Sequence, residues 1–236
     1  MGFALVSAGE VAYGNPNYTG EIAPSFGAST GAGHLLVACL YSGSSDATNP
    51  YTCEDDTWAQ VEPSDESYNW SDIWYKEDCG AGEAPPVFGL SDSTTSAGML
   101  LEFSGGATAG ALDQDGGPAS SGETLSASAG GPDGGGGRLL VFAGGWNGGS
   151  GATTIVNSAT DSSGASVSLT SYNDPDDTTG FKYSFFWGVC GEAGGEADSC
   201  SSVLGVYSGG GCSMATFKPG GAGPAAVPAL AWAAVV

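Results

Sequence analysis

Positive charge is what this chain has least of. Lys76, Arg138, Lys182 and Lys218 are its only bases against 26 acidic residues, and with the lone His34 neutral the net charge is −22. Phosphate backbones are held by Lys and Arg, so direct nucleic-acid binding is excluded as a function class. An anionic membrane surface repels such a chain for the same reason. The acidity itself reads as protection against non-specific association, and more sharply as a sign of a saline medium or a basic partner surface. Long apolar runs are missing too. No stretch approaches the roughly 18 apolar residues of a membrane span. The nearest, PAAVPALAWAAVV at 224–236, carries two prolines. The N-terminal MGFALVSAGEVAYG has neither the basic region nor the long apolar region of a secretory signal, and Ser7 falls one place late for a myristoylation motif.

Lysine and glutamate, the usual surface helix formers, are scarce, and charged residues make up only 13% of the chain. Glycine, by contrast, occurs 42 times. Long helices are disfavoured by that mixture, whereas short strands joined by turns suit it. Aromatic content of 10% is too high for a solvated linker. The chain therefore reads as folded and all-β. Candidate strands in the first half are FALVSA (3–8), EIAPSF (21–26), HLLVACLYS (34–42), WAQVEP (58–63), DIWYKED (72–78), PVFGLS (86–91) and GMLLEFSG (98–105). LLVACL is apolar on both sides, which suits a central strand covered on both faces. Turn chemistry such as YGNPNYTG and SSDATNPYT separates the strands.

The second half repeats the order of the first. Gly20-Glu21 recurs as Gly122-Glu123, 102 residues on, and the Gly-x-Leu-Leu-Val of 33–37 recurs at 137–141, 104 residues on. IWYKEDCG (73–80) then matches FFWGVCG (185–191), and MLLEFSG (99–105) matches SMATFKPG (213–220), which puts Cys79 on Cys190 and Phe103 on Phe217. The drifting offset is that of loops lengthening around fixed strands. The junction SGGATAGALDQDGGPASSGETL (104–125) has no long Pro-rich or charged spacer, so two beads on a string are disfavoured. The expectation is one jelly-roll-like antiparallel β-sandwich over 1–220. It is built from pseudo-repeats of about 1–108 and 109–220, its two sheets shared by both halves, and is followed by an arm at 221–236.

The succession G-x-LLV, then Thr57-Trp58 with Val61, then W-Y-K, E-x-P and MLLEFSG followed by A-L-D, resembles a recurrent two-half β-sandwich. That module occurs in tailed-bacteriophage virion proteins and bacterial surface proteins, and ATFKPG (215–220) is similar to its usual ending. The resemblance implies a non-enzymatic structural or adhesive role: head decoration, tail fibre or minor tail component. It implies partners among capsid or tail subunits, a homo-oligomer, and location on an extracellular particle reached by assembly. It brings no catalytic residues with it. A carbohydrate-binding surface adhesin is the competing class.

Other chemistry is weighed against this. No C-x-x-C pair exists, so a zinc ribbon lacks its ligand spacing. Cys39 reads as a buried small hydrophobe, while Cys190 and Cys200 flank a turn-like GEAGGEADS and form one candidate disulfide, with Cys53 and Cys79 a second. Gly27-Ala-Ser-Thr-Gly31 matches a nucleophile-elbow pattern, but that motif requires a strand–turn–helix and a distant histidine. No cofactor is expected. The acidic turns offer Ca²⁺ the oxygens of Asp113, or of Asp174 with Asp176, although none forms an EF-hand loop and solvated turns are the plainer reading. Trp70, Trp146 and Trp187 are candidates for a glycan-stacking platform. Phe185-Phe186-Trp187 must alternate between faces, so one of these rings leaves any single core, to pack on another chain or under a loop. Leu230, Trp232, Val235 and Val236 make the arm apolar, and docking on a neighbouring subunit or back on its own domain would bury it.

Overall fold

Among the described residues, short apolar runs bounded by Gly, Asn and Asp turns give eighteen β-strands and no helix. The computed structural model describes residues 2–14, 21–43, 51–61, 69–90, 96–116, 118–121, 123–129, 137–147, 154–174, 181–191, 198–204 and 209–221. The first half supplies β1 (Ala4–Ala8), β2 (Ala12–Gly14), β3 (Glu21–Ile22), β4 (Leu35–Ser42) and β5 (Tyr51–Cys53). It continues with β6 (Ala59–Gln60), β7 (Trp70–Lys76), β8 (Phe88–Leu90) and β9 (Ser96–Ser104). The second half supplies β10 (Leu112–Gly116), β11 (Pro118–Ser121), β12 (Thr124–Ser128), β13 (Leu139–Asn147) and β14 (Ile155–Thr160). Its last strands are β15 (Leu169–Asp174), β16 (Phe181–Val189), β17 (Ser199–Leu204) and β18 (Gly210–Phe217).

Each half builds a large and a small antiparallel sheet in the same order. In the first half these are β1-β9-β4-β7-β6, with β2 also on β9, and β3-β8-β5. In the second they are β10-β18-β13-β16-β15 and β11-β12-β17-β14. The register repeats as well. Leu35 faces Phe103 as Leu139 faces Phe217, and Val37 faces Tyr75 as Val141 faces Trp187. The repeat read from the sequence is therefore a repeat of strand pairing. One expectation is corrected: among the described residues no sheet mixes strands from both halves, so the two halves do not weave a shared pair of sheets.

The halves meet face to face instead. Side chains alternate along a strand, so a strand covered on both faces feeds two cores. Leu35, Val37, Cys39 and Tyr41 of β4 enter a central core together with Leu139, Val141 and Ala143 of β13. Leu36, Ala38 and Leu40 turn the other way, against Ile22, Tyr51 and Phe88 of the first small sheet. Leu140, Phe142 and Trp146 likewise turn toward Leu125, Ile155 and Leu204 of the second small sheet. The result is four layers with three cores between them. Fully burying each such Leu, Val or Phe contributes about 1.5–3 kcal/mol.

The layering explains the aromatic triplet. Phe185 and Trp187 enter the central core, and Phe186 enters the second outer core, where it stacks on Phe142 with centroids 4.4 Å apart and planes at 14°. The ring expected to seek another chain is covered by the chain's own fourth sheet. Close approach of the central sheets shows at Gly145, where a Cβ would lie 2.6 Å from the Tyr41 ring. Hydrogen bonds also cross this interface, from Ser71 Oγ to Ala143 O at 2.7 Å and from Ser213 Oγ to Ser71 O. Buried hydroxyls are thus satisfied across the seam between halves.

Candidate functional site

The two Gly-x-Leu-Leu-Val stretches mark the polar joints of the fold. Gly33 and Gly137 precede β4 and β13 with φ of 76° and 82°, a left-handed backbone that glycine adopts without a Cβ clash. Each turn then makes the same two hydrogen bonds. Gly33 N donates to Cys79 O at 2.9 Å and Cys79 N to His34 O at 3.1 Å. Gly137 N donates to Cys190 O at 3.0 Å and Cys190 N to Arg138 O at 2.8 Å. The alignment of Cys79 with Cys190 is a matched pair of backbone bonds.

It is not a framework of disulfides. All six cysteines are free thiols, which corrects both the Cys190–Cys200 and the Cys53–Cys79 pairing. Cys190 and Cys200 point into the second outer core. Burial pushes the Cys190 thiol up to about 12 and the Cys200 thiol well above its ordinary value, so both stay protonated and inert. Cys200 Sγ lies 3.2 Å from Met214 Sδ, and Cys79 Sγ donates to Gly31 O at 3.0 Å. Burial raises the thiols of Cys53 and Cys79 as well.

His34 and Arg138 occupy the same position of the repeat, and each meets a buried carboxylate. His34 Nδ1 lies 2.6 Å from Glu102 Oε1, and Glu102 also accepts from Gly31 N at 2.7 Å and Ser7 Oγ at 3.0 Å. Burial works to raise the Glu102 carboxyl, but the bonds from Gly31, His34 and Ser7 outweigh it and hold the group below the ordinary carboxylate range. Arg138 is only 2% exposed. Its Nη2 donates to Ser162 Oγ at 2.8 Å and to Asp198 at 3.1 Å, while Nη1 lies 3.8 Å from Asp113 Oδ2. Lys218 Nζ approaches the other Asp113 oxygen at 3.4 Å. Burial raises the Asp198 carboxyl, with Arg138 pulling it the other way. Beside this joint Asp161 accepts from Ser163 Oγ at 2.6 Å, from Ser163 N and Ala165 N at 3.0 Å, and from Gly191 N at 3.1 Å. These bonds, led by the Ser163 hydroxyl, lower its pKa.

Chemically these joints clamp rather than react. Ser7 and His34 bond opposite oxygens of Glu102, so the carboxylate sits between them and no imidazole faces the hydroxyl. The 27–31 segment runs from a loop into β4, without the helix an elbow requires, and Ser29 is exposed. Thr30 and Gly31 are instead tied down, Thr30 Oγ1 to Gly80 O at 3.2 Å and Gly31 N to Glu102. Asp113, a Ca²⁺ candidate, already faces two cations. Asp174 ends β15, Asp176 lies outside the described residues, and among the described residues no group of three or more His, Cys, Asp or Glu is placed to hold a metal. Trp70, Trp146 and Trp187 are 4%, 0% and 6% exposed, so they fill cores and present no stacking platform. Arm residues Leu230, Trp232, Val235 and Val236 lie outside the described residues. Glu102, Arg138 and Asp198 escaped the sequence reading. The available signal was that a base or histidine stands directly before each apolar central strand in a chain with four bases.

Compared with family models, with curated proteins and with solved structures, the chain matches none.

Proposed function

We propose that this chain is a non-enzymatic structural protein of a tailed-phage virion, exposed on the particle as head decoration or as a tail or fibre component and held there by contacts with other virion subunits. Support comes from the resemblance of its strand signatures and, above all, from one observation. The buried charges Glu102, Arg138, Asp113 and Asp198 are committed to joining strands and loops. Such a chain spends its interior chemistry on cohesion, which is what a particle surface demands.

The finer reading of the architecture follows the halves. Leaving aside the short β2 and β11, the eight strands of each half run 1-8-3-6-5 in the large sheet and 2-7-4 in the small one. A jelly roll alternates its strands between two sheets in this succession, the fifth strand here having joined the large sheet. We therefore read two jelly-roll-like units stacked on their large sheets, in place of one.

The test is composition of the particle. Mass spectrometry of gradient-purified extracellular particles from the source should find the chain at fixed stoichiometry with capsid or tail proteins. Its absence from particles overturns the reading. Specific binding on a glycan array would favour the adhesin, although that alternative must find a surface other than the buried tryptophans.

A further inference from the structure

A strand at the edge of a sheet offers its outer row of N–H and C=O groups to any chain that can pair with them. Folds blunt such edges by shortening, bulging or charging them. Among the described residues, three of the four edges of the large sheets are blunted in these ways. β6 is two residues long. β1 loses register between Leu5 and Ser7, and β2 beside it is three residues long. β10, LDQDG, loses register between Leu112 and Gln114 and carries Asp113 and Asp115. β15 has none of these protections. It takes the place of β6 in the repeated order, yet it runs for six residues in unbroken register with β16 and has no charge before its last residue. Among the described residues it pairs with β16 alone, and Thr170, Ser171 and Tyr172 are all exposed. The neighbouring edge of the second small sheet, β14, is partly taken: Val167 N donates to Ala159 O at 2.9 Å, and Thr160 bridges Ser166.

The margin beside β15 is apolar. Residues opposite each other on paired strands share a face, so Thr170 and Tyr172 lie on the central-core face with Trp187 and Phe185. On that face Ser168, Thr170, Trp187 and Val189 meet Phe3 and Leu5 of the first half around a cavity of about 280 Å³, room for aliphatic side chains. Farther along, Tyr172 lies parallel to Tyr183 with centroids 6.3 Å apart, and Tyr183 meets Tyr13 edge on at 6.0 Å. Leu5, Tyr13, Tyr172 and Val189 are four of the six exposed large hydrophobic residues among those described, and all four stand on this margin. Charge then selects the partner. Arg138 and Lys182 are buried, and Lys76 is held by Asp55 and Glu83. Lys218 alone keeps most of its side chain in water, against 26 acids in the chain. Such a surface opposes a second copy and attracts a cationic segment.

We propose that β15 is a docking edge for an extended segment of a cationic partner. The segment adds a sixth strand to the second large sheet, bonded through its main chain to β15. Its side chains alternate between faces, so every second one, apolar, covers the margin of Leu5, Tyr13, Tyr172 and Val189, while lysine or arginine occupies the other face. Main-chain pairing supplies affinity, the apolar margin fixes register, and charge excludes acidic competitors. A docking edge of this kind is independent of the virion reading.

A peptide alternating valine and lysine, long enough to span β15, tests this, with amide exchange of the full chain read by mass spectrometry at physiological ionic strength. The peptide should slow exchange of the β15 segment roughly tenfold or more, while β6 and β10 exchange as before. A glycine–lysine peptide of equal charge should not slow it, having no side chains for the margin, and a valine–glutamate peptide should be repelled. These controls decide the question on the unmutated chain. Ser171→Lys puts like charge on the exposed edge and should weaken binding of the valine–lysine peptide about tenfold or more, with β4 and β13 keeping their protection. No slowing at β15 overturns the proposal, as does equal slowing by either control peptide. Undiminished binding to Ser171→Lys places the peptide elsewhere and also overturns it. Protection of β15 without peptide that falls on dilution, with a dimer seen by light scattering, overturns it as well and assigns the edge to a second copy.

Discussion

His34 and Arg138 stand at one position of a duplicated fold, yet they solve different electrostatic problems. The backbone around them is the same: a left-handed glycine, then reciprocal hydrogen bonds to Cys79 or Cys190. The partners are not. His34 is paired by Glu102 from the adjoining strand β9, opposite Leu36, while the residue opposite Leu140 is Thr216, whose hydroxyl donates to Gln114 O at 3.5 Å. Arg138 therefore takes its counter-charges from elsewhere, Asp113 on β10 and Asp198 just before β17. Backbone geometry holds the repeat together, and ionic chemistry is fitted to it afterwards. The fitting carries different stakes, because the imidazole keeps 24% of its surface in water and the guanidinium keeps 3%.

Separating the halves would break the comparison altogether. In a fragment ending at residue 108 the inward side chains of β4, β7 and β9 face water, at about 1.5–3 kcal/mol each, which exceeds the stability of an ordinary domain. Calorimetry should show no cooperative transition for that fragment, and a sharp one would mean that each half is a domain in its own right. The next largest contrast lies within the whole chain. Arg138→Met leaves Asp198 and Asp113 buried without their guanidinium and should cost about 3–5 kcal/mol in urea unfolding. His34→Gln leaves Glu102 its bonds from Gly31 and Ser7 and should cost about 1 kcal/mol. A larger loss at His34 would reverse the ranking of the two joints.

Acid distinguishes the joints by sign. The Glu102 carboxyl is held below the ordinary range when folded, so its stabilisation is complete above the unfolded pKa and disappears as pH falls through the folded one. Asp161 acts in the same direction. Asp198 is raised instead, so its contribution is present at low pH and is lost as pH rises through its folded value. Acid should therefore weaken the Glu102 joint and the Asp161 turn while relieving Asp198 of a buried charge. Urea midpoints followed from neutral pH down to about 3 should fall as the Glu102 carboxyl is protonated. Glu102→Gln should flatten that limb, and an unchanged acid limb in this variant would remove Glu102 from the account.

Much of the fold was legible because strands covered on both faces lose their polar alternation. LLVACL announced a central strand, and the matched offsets of Leu35 with Leu139 and Phe103 with Phe217 proved to be matched registers. The number of layers was not legible. Phe185-Phe186-Trp187 shows that both faces of β16 are apolar, but the triplet cannot say whether the second face meets another chain or a further sheet. The cover comes from strands such as TLSAS and SCSSVL, whose serines hide their inward residues. Tryptophan misled for a related reason. Trp146 sits in a glycine-rich strand that looks like a loop, whereas glycine there lets two sheets approach. Pairings such as Arg138 with Asp198 join residues 60 apart, with β13 to β16 between them, which no local pattern reveals.

The smallest predicted effect is an equality, and it sharpens the comparison most. If backbone geometry is the shared element, Gly33→Ala and Gly137→Ala should cost the same despite their different ionic neighbours. Both glycines have left-handed φ, where a Cβ is opposed by its own carbonyl, and that strain amounts to about 1–2 kcal/mol. Surroundings add nothing at either site: a Cβ at Gly137 meets no atom within 4 Å, and at Gly33 it meets only Asp78 Oδ1 at 3.8 Å. Urea unfolding of the two variants should agree to within the additivity of distant sites, roughly 0.5 kcal/mol. A markedly greater loss at Gly137 would mean that the turn and the Arg138 cluster act as one unit, with the charge chemistry helping to set the backbone instead of being fitted to it.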